Sequence, residues 1–248
     1  MDLALGALAF APGLAVGSFL NVLAARVPLR RSIVTPGSAC PRCERPIAWY
    51  DNVPLVSYVV LRGRCRSCSS SIGLTYPLVE LATGLLIAGC VLAFGLTLHG
   101  AIAALFCATL VTISVIDLEH RIIPNRIVLP VAAVVLVAQT VRDPSPEWAL
   151  AALAASGFLF VTAVVYPAGM GMGDVKLALL MGAALGREVA VAMMLAMVAA
   201  LVPSVVLLAR HGKAGRKMGI PFGPFLALGS VVALFVGEAI LDAYLKLY

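Results

Sequence analysis

Charged side chains are scarce in this sequence. Asp, Glu, Lys and Arg make up 12% of its 248 residues, against ~25% in a soluble domain. A single soluble core is excluded as well, because 62% of the chain is hydrophobic and that content is spread along most of its length. Alternation of apolar and polar residues is also missing. The apolar runs are continuous, which argues against a membrane β-barrel. The start, "MDLALGALAFAPGLAVGSFLNVLAAR", lacks a basic n-region and carries its positive charge after the run. It reads as a retained first span rather than a cleavable signal. No βαβ unit surrounds the glycines of "GMG", so a soluble dinucleotide site is not expected. The formal charge of +6 would suggest nucleic acid in a soluble protein. Here the basic residues cluster in particular loops, which points to membrane topology and away from a nucleic-acid partner.

What remains is an all-α, polytopic membrane helical bundle of about eight spans. The apolar runs place them at roughly 4–25, 76–95, 100–118, 127–141, 149–167, 174–186, 189–209 and 221–245. The runs at 127–141 and 174–186 are short for a bilayer, which takes ~20 residues. Short spans suit bundle members with water-accessible ends. Loops 26–75, 119–126, 168–176 and 210–220 hold 15 of the 18 Lys and Arg. The positive-inside rule puts those loops in the cytoplasm and both termini outside. Residues 1–25 are then a first transmembrane span, 26–75 a small cytoplasmic loop domain and 76–248 the membrane core.

The loop domain carries "CPRC" (Cys40, Cys43) and "CRSC" (Cys65, Cys68). Each pair presents two thiolates from a tight turn, and four together make a closed tetrahedral site for structural zinc. A cytosolic setting argues against disulfides, and four sulfurs leave no open position for catalysis. A piece this short needs such a staple. Between the pairs, "WYDNVPLVSYVVLRGR" offers Trp49, Tyr50, Val53, Leu55, Val56 and Tyr58. Aromatic anchoring at the bilayer surface and a role toward substrate both fit this stretch. Cys90 and Cys107 lie alone in apolar runs and read as small core residues.

Each carboxylate beside a span needs an explanation. Asp2, Asp51, Asp143, Glu147, Glu188 and Asp242 sit near loops or span ends and read as solvated. Glu80, one turn into a span, would pair with a loop Arg or line a cavity. Asp117 ends the run "AALFCATLVTISVID", and Asp174 opens another in "GMGDVKLALL". Either alone could be a helix-end charge. Together they fall at similar depth on the cytoplasmic side, and two adjacent carboxyls share a proton. One can activate water while the other protonates a peptide carbonyl. Gly171 and Gly173 would give the backbone unusual angles and let an extended substrate approach. Lys176, two residues on, points off the Asp174 face and reads as a cytoplasmic anchor rather than an ion-pair partner.

Five segments, in order, resemble the type IV prepilin leader peptidase family, of the bifunctional peptidase and N-methyltransferase kind. They are "GSFLNVLAARVP"; the cysteine loop running into "YPLVELATGLL"; "IDLEHRIIPNRIVLP"; "GMGDVKL", a GxGD motif; and "IPFGPFLALG". The resemblance implies that residues 76–248 are a GxGD aspartic peptidase core. Asp117 and Asp174 would be the catalytic dyad, with Gly171 and Gly173 as motif backbone. Cys40, Cys43, Cys65 and Cys68 would hold zinc. It also implies a bacterial inner-membrane location and prepilin or pseudopilin substrates cut after a glycine at the cytoplasmic face. The new N-terminus would then be methylated from S-adenosylmethionine, for which no binding residues are assigned. Asn125 stands where the family often has Asp, and Thr75 where an Arg often precedes "YP". A peptidase without methyl transfer is an alternative. A proton or ion carrier with paired carboxylates is another, though no inverted repeat is visible. A presenilin-like protease is a third, but Ile116 precedes Asp117 where that family has Tyr.

Overall fold

The computed structural model describes residues 2–166, 170–212 and 219–246, without the side chains of residues 2 and 3. Gly169 and the basic stretch 213–218 lie outside the described residues. The regular elements are helices, with no named strand among the described residues, and most of residues 27–74 are turns and loop. The helices are α1 (Asp2–Arg26), α2 (Val56–Val60), α3 (Thr75–Phe94), α4 (Leu98–His120), α5 (Asn125–Arg142), α6 (Glu147–Val165), α7 (Met172–Leu185), α8 (Val189–His211) and α9 (Gly223–Leu245). Apart from the five-residue α2, these match the eight apolar runs to within about two residues at each end. Seven described segments are long and apolar enough to cross a bilayer. One of them, Met172–His211, spans 40 residues and contains both α7 and α8. They part at Gly186, whose φ of +57° an L side chain rarely adopts.

The chain divides into two compact units, Met1–Thr112 and Ile113–Tyr248, the boundary falling inside α4. In the first unit, α1 packs on α3. Gly13 and Gly17 form a small-xxx-small step. A Cβ on Gly13 would come within 2.9 Å of the Gly84 backbone, and one on Gly17 within 2.7 Å of Glu80 Cα. Such close backbone approach is how membrane helices associate without a hydrophobic drive between them. Cys90 and Cys107 are fully buried, with Sγ atoms 3.9 Å apart, as core residues should be.

In the second unit, α7 packs against α5 and α6, and α8 against α9. Most of α7 is buried, from Val175 to Leu185 with few exceptions. Inside the unit, Gln139 satisfies its amide on Ala184 O at 2.9 Å and accepts from Arg142 Nε. The outer faces of α6, α8 and α9 expose Phe158, Val161, Leu201, Val205 and Leu228, as helices facing hydrocarbon would.

Two acids read as solvated are in fact bonded. Asp51 forms a bidentate pair with Arg66 at 2.8 and 2.6 Å, which holds its carboxyl below the usual aspartate range. Glu147 accepts the Arg187 N–H at 3.1 Å, just past the α7 terminus.

Candidate active site

Asp117 lies one turn from the end of α4 and Asp174 in the first turn of α7. They are only 6% and 9% exposed, and they lie within electrostatic reach of one another. Backbone sets each carboxylate. Asp117 Oδ2 accepts the N–H of Gly223, 106 residues away at the start of α9, at 2.9 Å. Asp174 Oδ2 accepts the N–H of Gly171 at 3.2 Å, while its own N–H donates to Gly171 O at 3.1 Å. Gly171 is the residue before α7, so Asp174 reaches back across the first turn as an acidic N3 residue does in a capping box. Three segments far apart in sequence thus converge on two carboxyls, and Arg121 lies within electrostatic reach of Asp117.

The glycines do not adopt the unusual angles expected of them. Gly171 has an ordinary extended backbone, with φ −86° and ψ 149°. A Cβ there would meet nothing closer than Asp174 Oδ2 at 3.6 Å. Gly173 matters for packing: a Cβ would come within 2.8 Å of Ile123 Cβ, in the segment joining α4 to α5. An equally tight requirement is at Gly223, which sequence reasoning did not single out. A Cβ there would sit 2.8 Å from Asp117 Oδ2. Its only sequence signal is its place in "IPFGPF", between two prolines that do not hint at a partner in α4. Gly223→Ala and Gly173→Ala are therefore expected to destabilise the purified protein, each by roughly 1–3 kcal/mol of overpacking, read as a lower melting temperature. Gly171→Ala should melt close to wild type.

Lys176 is not a free anchor. Its Nζ donates to Asn125 Oδ1 at 2.8 Å. That bond and the Gly173–Ile123 contact tie the start of α7 to the start of α5. The i+2 rule correctly separated Lys176 from Asp174 but says nothing of a partner on another helix. Asn125→Asp would turn this bond into an ion pair and is expected to leave stability unchanged or raise it by up to ~1 kcal/mol. Lys176→Met should lower it by a similar amount, read by thermal melting.

The four loop cysteines come together. Their Sγ atoms all lie within 4.8 Å of one another, and Cys40 Sγ is 3.8 Å from Cys68 Sγ. Tetrahedral zinc with bonds of about 2.3 Å would set sulfurs about 3.8 Å apart. The two pairs are built alike. Cys40 N–H donates to Arg45 O at 3.0 Å and Glu44 N–H to Cys40 O at 2.8 Å; Cys65 N–H donates to Ser70 O and Ser69 N–H to Cys65 O, both at 2.9 Å. Glu44 and Ser69 close these turns at φ +58° and +56°. Backbone N–H groups of Cys43 and Arg42 bring the Cys40 thiol down to about 6. The Ser70 hydroxyl and N–H lower Cys68. The Arg45 N–H also lowers Cys43, but burial and the neighbouring thiols outweigh it and push Cys43 up to about 11. Four thiols this close cannot all ionise alone, and a bound dication is what this donor set suits. Glu80 Oε2 accepts the Leu55 N–H at 2.8 Å, and no Arg pairs with it among the described residues.

Two family profiles match the sequence. The bacterial peptidase A24 N-terminal domain covers residues 12–94, and the type IV leader peptidase family covers residues 104–207. A prepilin leader peptidase/N-methyltransferase of Bacillus subtilis (strain 168) is 33% identical over 240 residues, covering 95% of this chain and 96% of the relative. The chain belongs to the prepilin leader peptidase/N-methyltransferase family. Proteins of the same name from Myxococcus xanthus (strain DK1622) and Pseudomonas aeruginosa (strain PAO1) are 39% and 36% identical. These alignments cover 84% and 94% of this chain, and 64% and 91% of the relatives. No solved structure matches. The chain is thus a multi-pass membrane protein and an enzyme of a peptidase family. Asp117 and Asp174 fall within the leader-peptidase match and the four loop cysteines within the N-terminal one, whereas Gly223 lies beyond both.

Proposed function

We propose that the chain cleaves the basic leader of type IV prepilins or pseudopilins after a glycine, at the cytoplasmic face of a bacterial inner membrane, with Asp117 and Asp174 as the catalytic pair. One observation carries this reading: two buried carboxyls in electrostatic reach of each other, each fixed through Oδ2 by a backbone N–H. With Oδ2 of both engaged, the other oxygens are left for water and for the scissile carbonyl. The ionised member takes a proton from water as it attacks, and the protonated member hands its own to the carbonyl oxygen. The roles then reverse as the amine leaves. The fixed N–H donors remove the reorganisation that free carboxylates would need.

Residues 26–75 form the zinc-binding module, held by Cys40, Cys43, Cys65 and Cys68, with residues 1–25 as the span before it and 76–248 as the membrane peptidase core. The excess of Lys and Arg in the loops supports the cytoplasmic placement. The family name supports a second step, in which S-adenosylmethionine would supply a methyl group to the new N-terminal amine. Purified protein in liposomes, offered a full-length prepilin, should release the leader without dissipating a proton gradient. Proton flux without cleavage would favour the carrier reading instead.

A further inference from the structure

We propose that the edge Trp49–Val60 of the cysteine loop is a bilayer-docking surface, inserted into the anionic leaflet from which the loop emerges. Three observations converge. The first is exposure: Trp49 is 82% exposed, Val59 73%, Val60 68% and Val56 57%. Val56, Val59 and Val60 stand at i, i+3 and i+4 and so share one stripe of α2. Ser57 and Tyr58 face the other way. Ser57 is buried, and the Tyr58 hydroxyl reaches Ile72 O at 3.5 Å.

The second is rigidity. The Ser57 hydroxyl donates to Tyr50 O and accepts the Val53 N–H, both at 3.0 Å, which locks α2 to the 3₁₀ turn Trp49–Asp51. The Asp51–Arg66 pair and the Arg66 guanidinium, 5.7 Å from the Tyr50 ring centre, hold that turn to the second cysteine knuckle. The Leu55 N–H, at a φ of +59°, is held by Glu80 of α3, within the same unit. A loose loop could fold such side chains away, but this one is braced with them outward.

The third is charge. Residues 26–75 carry eight Arg and no Lys against two acids, Glu44 and Asp51. Cations near an anionic leaflet are drawn to its surface, and Trp beside aliphatic residues suits the interface itself. Both ends of the loop enter membrane-crossing helices, α1 and α3, so the surface it would meet is always within reach. The inference depends on the membrane setting and not on the cleavage chemistry.

The test uses the full-length protein in nanodiscs, with Trp49 emission taken as the difference between wild type and Trp49→Phe. Acyl-brominated lipid should quench that emission, more in an anionic bilayer than in a zwitterionic one, while aqueous acrylamide should quench it weakly. Val59→Asp/Val60→Asp should return Trp49 to acrylamide without loss of bound metal. Quenching by acrylamide but not by brominated lipid would overturn the proposal, because the edge would face water. Shielding from both would overturn it too, because protein would cover the edge. Equal bromine quenching in the two bilayers would overturn the electrostatic part.

Discussion

Asp117→Asn and Asp174→Asn should each reduce leader cleavage by on the order of 10⁴-fold or more, while the purified variants keep their helix content and melt near the wild-type temperature. Asparagine keeps the shape and can still accept the Gly223 or Gly171 N–H through its Oδ1, so backbone contacts survive. What it removes is the exchangeable proton and the negative charge. The two single variants should lose about as much as the double variant, because two groups that share one proton act as a unit. A carboxylate serving only as a helix-end charge predicts the opposite: a change of ~1 kcal/mol in stability and nearly full cleavage. Cleavage rates and melting curves on the same preparations separate the two outcomes.

Removing the metal should have the second large effect, confined to the loop. Cys40→Ser, or exhaustive chelation, is expected to remove a bound zinc, detected by elemental analysis, and to open residues 26–75 to proteases. Structural zinc contributes about 10–16 kcal/mol in small metallo-domains. The described loop has no named strand and few buried residues to replace that contribution. The helix pair α1–α3 is held by its own glycine contacts and should remain folded. Protease digestion followed by peptide mapping would place the cuts. Resistance of an otherwise folded, metal-free protein would show that the knuckles hold without an ion.

Helix positions were readable from the sequence because long apolar runs leave little choice in a bilayer. The four cysteines were readable because their spacing is itself the chemistry. Asp117 and Asp174 were readable as a pair once topology put them at the same end of the bundle. What the sequence concealed is contact between segments far apart in it. Nothing in "IPFGPF" announces that Gly223 will donate to Asp117 or that its missing Cβ makes room for a carboxylate. Lys176 and Asn125 are 51 residues apart, so a rule about neighbours on one helix could not join them. The unusual backbone angles expected at the GxGD glycines are not found. Gly171 needs no special backbone angle, and Gly173 is small because Ile123 lies against it. Local rules read periodicity and spacing well, but side-chain partners are set by tertiary packing.

The most direct measurement of leader removal is intact-mass spectrometry of a type IV pilin subunit co-expressed with the wild-type chain or with Asp174→Asn. With the wild type, the pilin should begin at the residue after the leader glycine and carry one added methyl group. With Asp174→Asn, it should keep its whole leader. A pilin with its leader intact beside folded wild-type protein, or processed in full by folded Asp174→Asn, would rule out Asp117 and Asp174 as the pair that removes the leader.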